Sequence, residues 1–466
     1  MQSDDGRKKS WLIASALFFA ALTVYILTAA TSYANPDAYA ASLGAWRIAN
    51  TGEPWMEAVE FDELSGVSDP ARWQHQFDNG HIVTARMPGP IWAAVPFYWV
   101  NADPSEASFS ITRAGIASST LVASAVVLLF LALRRHVSDR KALIGAAVFA
   151  FATPAWSVGA NAMWTHPVTM FGLAGAAWSM SRGRWWQVGI WIGIGMLARP
   201  HLALIAAVIG LGMAWSRRNP RVAIAVGIPA IGSLGVVSTW NHFAFGTWDL
   251  RGPYAEYGYM QDVTNLGAGA MGQAVNYAGF LVSPDRGFFV WTPVVLVLLP
   301  SVFRAWRSLP DWTRWLAMGG VVYSGAQLGM NGFGGGDGFY GYRLALELLA
   351  CLVPIFVLSW RWTGRFVRVT APLIAATQFA AIAIGATIDG FYVHFSDAWR
   401  DNSYWVALRE FPLVFGTFTT VCLMVGIAIS VRMTRRPLSA RPDHDNSRDT
   451  ALASAGHHSR ERETTH

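Results

Sequence analysis

The run from Trp11 to Ala30, WLIASALFFAALTVYILTAA, is twenty residues without a charge, preceded by Arg7, Lys8 and Lys9 and followed by Asn35-Pro36-Asp37-Ala38-Tyr39. A helix needs about 20 apolar residues to cross about 30 Å of hydrocarbon, so this run reads as a membrane span. The basic residues before it place the amino terminus inside. Small residues at Ser32-Tyr33-Ala34 give the segment some likeness to a signal peptide, but its length favours an uncleaved first helix. Further apolar runs follow at about 110–133, 141–160, 163–181, 185–198, 201–215, 222–240, 288–304, 312–330, 344–360, 366–388 and 411–431. The expected fold is therefore an all-α polytopic membrane protein of about twelve spans, with both termini on the cytoplasmic side of the plasma (inner) membrane. The short runs 185–198 and 201–215 form a hairpin turning at Arg199-Pro200-His201, because basic residues flank both outer ends.

Charge follows that parse. The loops assigned to the inside, between Arg134 and Arg368, hold fifteen Lys/Arg and two acids, Asp139 and Asp311. The opposite loops hold no Lys and nineteen acids, ten of them between Asp37 and Glu106. The first pattern sets orientation; the second puts carboxylates and arginines outside, where any chemistry would sit. Charged residues are only 14% of the 466, against about 25% in soluble domains. The net charge of +6 is spread over short inward loops, where it serves topology and anionic lipid, and this excludes nucleic acid as a partner. Cys351 and Cys422 both lie inside apolar runs, so no loop can form an internal disulfide.

One integral-membrane domain, 1–436, accounts for the chain up to a Pro-, Asp-, Arg- and His-rich tail, 437–466, expected to be disordered and cytoplasmic. Outward segments fall at about 31–109, 241–287, 331–343 and 389–410. The first contains Ile91 to Val100, flanked by Pro88, Pro90 and Pro96 and too short to span, which reads as an interfacial or re-entrant helix.

Asp37 stands at the mouth of the first span, ahead of Ala41, Leu43, Trp46, Ile48 and Ala49 at helical spacing. An acid there can deprotonate the hydroxyl of an acceptor brought to a lipid-borne substrate, or it can simply cap the helix that follows. His75, Asp78 and His81 are the most metal-like set, but their spacing and Asn79-Gly80 favour a surface turn, and no metal site is assigned. His166 and His201 read as interfacial hydrogen-bonding residues. Tyr254, Tyr257 and Tyr259 with Trp248 could stack on a sugar or pack the loop.

Several ordered motifs together resemble the GT-C superfamily of integral-membrane glycosyltransferases, which includes the protein O-mannosyltransferases and lipid A aminoarabinose transferases. They are Asp37 with Tyr39 and Gly52; Arg86-Met87-Pro88-Gly89; Gly193-x-Gly195 leading to Arg199-Pro200; Ser283-Pro284-Asp285-Arg286-Gly287; and Gly334-Gly335-Gly336-Asp337-Gly338 ending in Gly341-Tyr342-Arg343. The resemblance implies a polyprenyl-phosphate-linked sugar donor, a glycan, glycolipid or protein acceptor, and an active site on the extracytoplasmic face. Asp37 would be the general base. Arg343, then Arg286, then Arg86 are the candidates for the donor phosphate, since a guanidinium can hold phosphate through two hydrogen bonds. Tyr39, Asp337 and Tyr342 would line the substrate. The chain lacks the paired acid common in the family at the first-loop site, and a lone carboxylate is a poor divalent-cation ligand, so a divalent cation remains only a possible cofactor.

The expected function is transfer of a sugar to an envelope acceptor at the outer face of the membrane. The alternative is a secondary transporter or lipid flippase of about twelve spans. Against it stand the one long acidic segment after the first helix and spans almost free of ionisable groups.

Overall fold

A computed structural model describes residues 4–31, 35–57, 74–77, 79–100, 102–103, 105, 108–254, 269–388 and 390–434. Asp78, Tyr257, Tyr259, Ser32-Tyr33-Ala34 and the tail 437–466 lie outside the described residues.

The described residues are mostly helical. The apolar runs read from the sequence fall on helices, from Asp4–Leu27 to Pro412–Thr434, but two are broken: 141–160 into Asp139–Phe151 and Ala155–Gly159, and 288–304 into Phe288–Trp291 and Val294–Ala305. Among the described residues six segments are long and apolar enough to cross a membrane: Ser10–Leu27, Ile111–Leu133, Pro200–Arg217, Arg221–Phe245, Arg365–Thr387 and Pro412–Thr434. The others are shorter or less apolar, such as Thr165–Met180, Trp185–Met196 and Leu346–Ser359. Of these, Thr165–Met180 and Leu346–Ser359 are buried along nearly their whole length. Glycines on the Thr165–Met180 helix permit that packing. A Cβ at Gly172 would lie 2.6 Å from the carbonyl oxygen of Trp191.

The segment after the first helix contains both expected helices. Pro36–Thr51 runs from the Asn35 cap to Gly52, whose positive φ of 79° ends it in the left-handed conformation that costs glycine little. Pro88–Trp99 is mostly buried rather than lying at the surface. It packs on the Pro36 helix through a core that includes Tyr39, Leu43, Trp46, Ile91, Val95 and Tyr98. A two-stranded antiparallel ribbon, Gln74–Gln76 with Ile82–Thr84, interrupts the helical pattern, and Trp55 bridges to Val83 beside it. These three-residue strands are too short to leave an alternating signature in the sequence.

The segment 241–287 contains the helix Gly269–Val282, which the sequence reading left as loop. It is held by Asn276, whose Nδ2 donates to the carbonyls of Leu328 (2.6 Å) and Asn331 (2.9 Å). A buried amide that bonds two backbone carbonyls fixes a helix whose fourteen residues are too few to stand out as a span.

Candidate active site

The two readings of Asp37 are separated by its neighbour. Asn35 caps the helix: its Oδ1 accepts from the Asp37 N–H at 2.8 Å, and Pro36 occupies the first turn, where its missing N–H costs nothing. The Asp37 side chain is thereby free of the capping role. Its Oδ1 accepts from Arg86 Nη2 at 2.6 Å and its Oδ2 from Arg343 Nη1 at 2.7 Å. Burial alone would raise this carboxyl, but the charges of Arg86 and Arg343, with a contribution from Arg199, outweigh it and hold the group well below the usual carboxylate range. The carboxylate is still 29% exposed.

Each arginine is set by backbone geometry. Arg86 leads into Met87-Pro88-Gly89, and the Gly89 N–H donates to the Leu197 carbonyl at 2.9 Å. A Cβ on Gly89 would fall 2.6 Å from the Ala198 nitrogen, so only glycine lets this turn dock beside Arg199. Arg343 ends the glycine loop, in which Gly335, Gly336, Gly338 and Gly341 all have positive φ, 106° at Gly341. That conformation is open to glycine and strained for other residues. The guanidinium of Arg343 lies 5.0 Å from the Trp164 ring and 5.6 Å from Phe339, aromatic faces that attract a cation.

Arg286 is positioned differently. Its Nη1 donates to the carbonyls of Phe339 (3.0 Å) and Gly341 (3.1 Å), its Nη2 to Val393 (2.8 Å), and Asp285 Oδ2 lies 2.9 Å from Nη1. The side chain is 1% exposed. Asp285 in turn accepts from the Ser403 N–H (2.7 Å) and Oγ (2.6 Å). Arg286 thus braces the glycine loop against the 390–403 segment. Asp337 belongs to the same brace: Oδ1 accepts from the Phe395 N–H at 2.6 Å, Oδ2 lies 3.2 Å from His394 Nε2, and its carbonyl accepts from Asn35 Nδ2 at 2.6 Å. That last bond ties the loop to the cap beside Asp37. Tyr39 and Tyr342 are buried, Tyr39 edge-on to Phe109 and Tyr342 with its hydroxyl toward Thr292; both belong to hydrophobic packing.

A second polar group adjoins the first. Glu347 is fully buried, and its Oε1 accepts from Thr169 Oγ1 at 2.6 Å and lies 2.8 Å from His166 Nδ1. Arg199 donates from Nε to Thr165 Oγ1 (2.8 Å) and from Nη1 to the Tyr323 hydroxyl (3.2 Å), and its Nη2 lies 3.2 Å from His166 Nε2. The sequence reading missed Glu347, which sits inside a predicted span, and treated His166 and Arg199 as interfacial. The premise that the spans are almost free of ionisable groups is corrected here: His166 and Glu347 occupy helices read as spans and meet with Arg199 in one buried network. The tell-tale sign was a lone acid in the apolar run Leu346-Glu347-Leu348-Leu349, costly unless paired.

His81 pairs with Glu57 (2.8 Å) and stacks on Trp55. Trp248 stacks on His242, and Tyr254 lies close enough to Arg86, Asp37, Arg199 and Arg343 to feel their charges. Among the described residues no group of three or more His, Cys, Asp or Glu could hold a metal ion. Both Asp37 carboxylate oxygens already accept from arginine, Arg86 and Arg343, and the charge of Arg199 also bears on the group. That donor set suits an anion, not a divalent cation. A cavity of about 210 Å³ abuts the centre, walled by Asn35, Ala38, Trp164, Phe339 and Tyr392 among others.

No family model matches the chain, and no curated protein does. Among solved structures it is similar to the oligosaccharyltransferase of Archaeoglobus fulgidus. The form tethered to an acceptor peptide is 13% identical with a TM-score of 0.42, the match covering 91% of this chain and 55% of that one. The apo form gives 12%, 0.45, 90% and 56%, respectively. The AglB complex with an inhibitory peptide and a dolichol-phosphate gives 11%, 0.40, 89% and 56%. The chain spans little more than half the length of these proteins, and likeness at this level carries no argument about its chemistry.

Proposed function

We propose that the protein is a membrane glycosyltransferase that moves a sugar from a polyprenyl-phosphate donor to a hydroxyl acceptor of the cell envelope, on the outer face of the membrane. The observation that carries this reading is the clamp on Asp37: a partly exposed carboxylate between Arg86 and Arg343, within reach of Arg199's charge. With Glu347 counted, three guanidiniums face two carboxylates, so one positive charge is left for an anion. A lipid-borne phosphodiester carries the one negative charge that balances it, and aromatic walls beside it suit a sugar.

Held by two arginines, Asp37 is a weak base. Donor binding relieves this by exchange of partners. The donor phosphate takes the guanidiniums of Arg343 and Arg86, and Asp37, losing their pull, regains affinity for a proton. The acceptor oxygen then attacks the anomeric carbon, its proton passes to Asp37, and the bond from that carbon to the phosphate oxygen breaks. The leaving polyprenyl phosphate carries the departing electron pair, and its charge is met by the arginines. Arg286 and Asp337 support the loop that carries Arg343 and are assigned no contact with the phosphate.

The test is release of polyprenyl phosphate by purified protein offered a panel of polyprenyl-phosphate sugars and crude envelope acceptor, wild type against Asp37→Asn. Turnover that collapses in a folded mutant supports the reading. Turnover indifferent to the mutation removes Asp37 as the base, and absence of donor binding removes the transferase.

A further inference from the structure

We infer that Glu347 is a positioning residue of the phosphate site: acting through His166, it holds Arg199 as a third cation facing the Asp37 centre. This rests on the proposed function, because the anion concerned is the donor phosphate.

The hydrogen bonds have a definite direction. A guanidinium keeps its protons, so Arg199 Nη2 is the donor in its 3.2 Å contact and His166 Nε2 accepts. The proton of the neutral ring therefore sits on Nδ1 and is donated to Glu347 Oε1 at 2.8 Å. Arg199, His166 and Glu347 form a chain in which each group fixes the next, and Thr169 adds a second donor to the same carboxylate oxygen. Glu347 Oε2 has no hydrogen-bond partner. A buried ion left half-satisfied costs more than an apolar residue would, and a purely structural role does not explain keeping it.

What the chain aims is a guanidinium with capacity to spare. Arg199 uses Nε on Thr165, one Nη1 hydrogen on Tyr323 and one Nη2 hydrogen on His166. Of its five N–H groups, that leaves one on each terminal nitrogen, and its side chain retains 12% exposure. Its charge already lowers the Asp37 carboxyl. The tripeptide Trp164-Thr165-His166 connects the two halves: Trp164 faces the Arg343 guanidinium, while Thr165 and His166 hold Arg199. Shifting Glu347 would therefore move Arg199 away from the anion without touching Asp37, Arg86 or Arg343.

The experiment measures inorganic phosphate and polyprenyl phosphate binding to the full chain in detergent, by the rise in unfolding temperature, for wild type, Glu347→Gln, Arg199→Gln and the double variant. Wild type should be stabilised by both ligands. Glu347→Gln and Arg199→Gln should each lose about tenfold in affinity, the size of one charge-assisted contact, and the double variant should lose no more than either alone. In turnover, donor KM should rise in Glu347→Gln while acceptor KM stays put, and Glu347→Asp should recover part of the loss. Wild-type phosphate affinity in Glu347→Gln, or additive losses in the double variant, would overturn the inference and leave the Asp37 reading intact. If Glu347→Gln does not fold, Thr169→Val, which removes one hydrogen bond to the carboxylate, should weaken phosphate severalfold; no change there overturns the inference equally. A wild type indifferent to both phosphates removes the phosphate site itself.

Discussion

Two aspartate–arginine clusters of this molecule, Asp285 with Arg286 and Asp37 with Arg86 and Arg343, differ in what remains available to a ligand. Asp285 and Arg286 are 0% and 1% exposed, and the terminal nitrogens of Arg286 are engaged by three backbone carbonyls and Asp285. Asp37 is 29% exposed, and its arginines come from two distant segments, the first outward loop and the end of the glycine loop. The first pair closes on protein and fixes a loop. The second is an arrangement of charge that an incoming anion can redistribute. An Asp–Arg pair is therefore informative only together with its remaining hydrogen-bonding capacity.

The sharpest way to break that contrast is to remove each carboxylate. Asp37→Asn should lower turnover by about 10²–10⁴-fold, the range for a lost general base, while its unfolding temperature falls less than at the fully buried pair, because the Asp37 side chain is 29% exposed. Asp285→Asn should do the reverse. Stranding the buried Arg286 charge should cost about 3–5 kcal/mol, read as a large drop in unfolding temperature. Equal stability losses at the two sites would erase the distinction.

Arg343→Lys tests the open pair more finely. Lysine keeps the charge but cannot supply a planar fork, so donor KM should rise about tenfold with stability nearly unchanged. Gly89→Ala should have a smaller effect, a severalfold fall in turnover, because the new methyl must push the Arg86 turn off Leu197 and Ala198.

The pH behaviour follows from the direction of the Asp37 shift. Its folded value lies below the unfolded one, so the stability it contributes is fully present above about pH 4 and is lost only as pH falls through the folded value. Between pH 5 and 8 the resting clamp should contribute constant stability. In the donor complex Asp37 has lost its arginines, so the acidic limb of kcat should lie at higher pH than that of kcat/KM, which reports the free enzyme. Coincident limbs would argue against partner exchange.

The bundle was legible because apolar runs and loop charges respond to the membrane locally. The helix after the first span was visible from its local apolar spacing, whereas Arg343 and the glycine run stood out only through the family resemblance. Glu347 was hidden by its apolar neighbours, which made one acid look like noise in a span. Arg286 ranked second to Arg343 as a phosphate ligand, and nothing local showed that its guanidinium turns to backbone carbonyls instead. The helix Gly269–Val282 was too short to register, and its anchor, Asn276, acts on residues about fifty positions away.

Sequence by itself determined that this chain is built of apolar helices suited to a membrane, about where most of them lie, and that acids are sparse in alternate connections and crowded in the others. Those are properties of short windows, set by transfer of side chains between water and hydrocarbon and by backbone preferences. Only the tertiary structure decided which arginine meets which acid. Asp37 pairs with a residue 49 positions away and another 306 positions away, Asn35 takes the cap, and Arg286 turns to carbonyls. Whether a charge is free, clamped or spent depends on its hydrogen-bond partners and burial, and packing brings those together from across the chain.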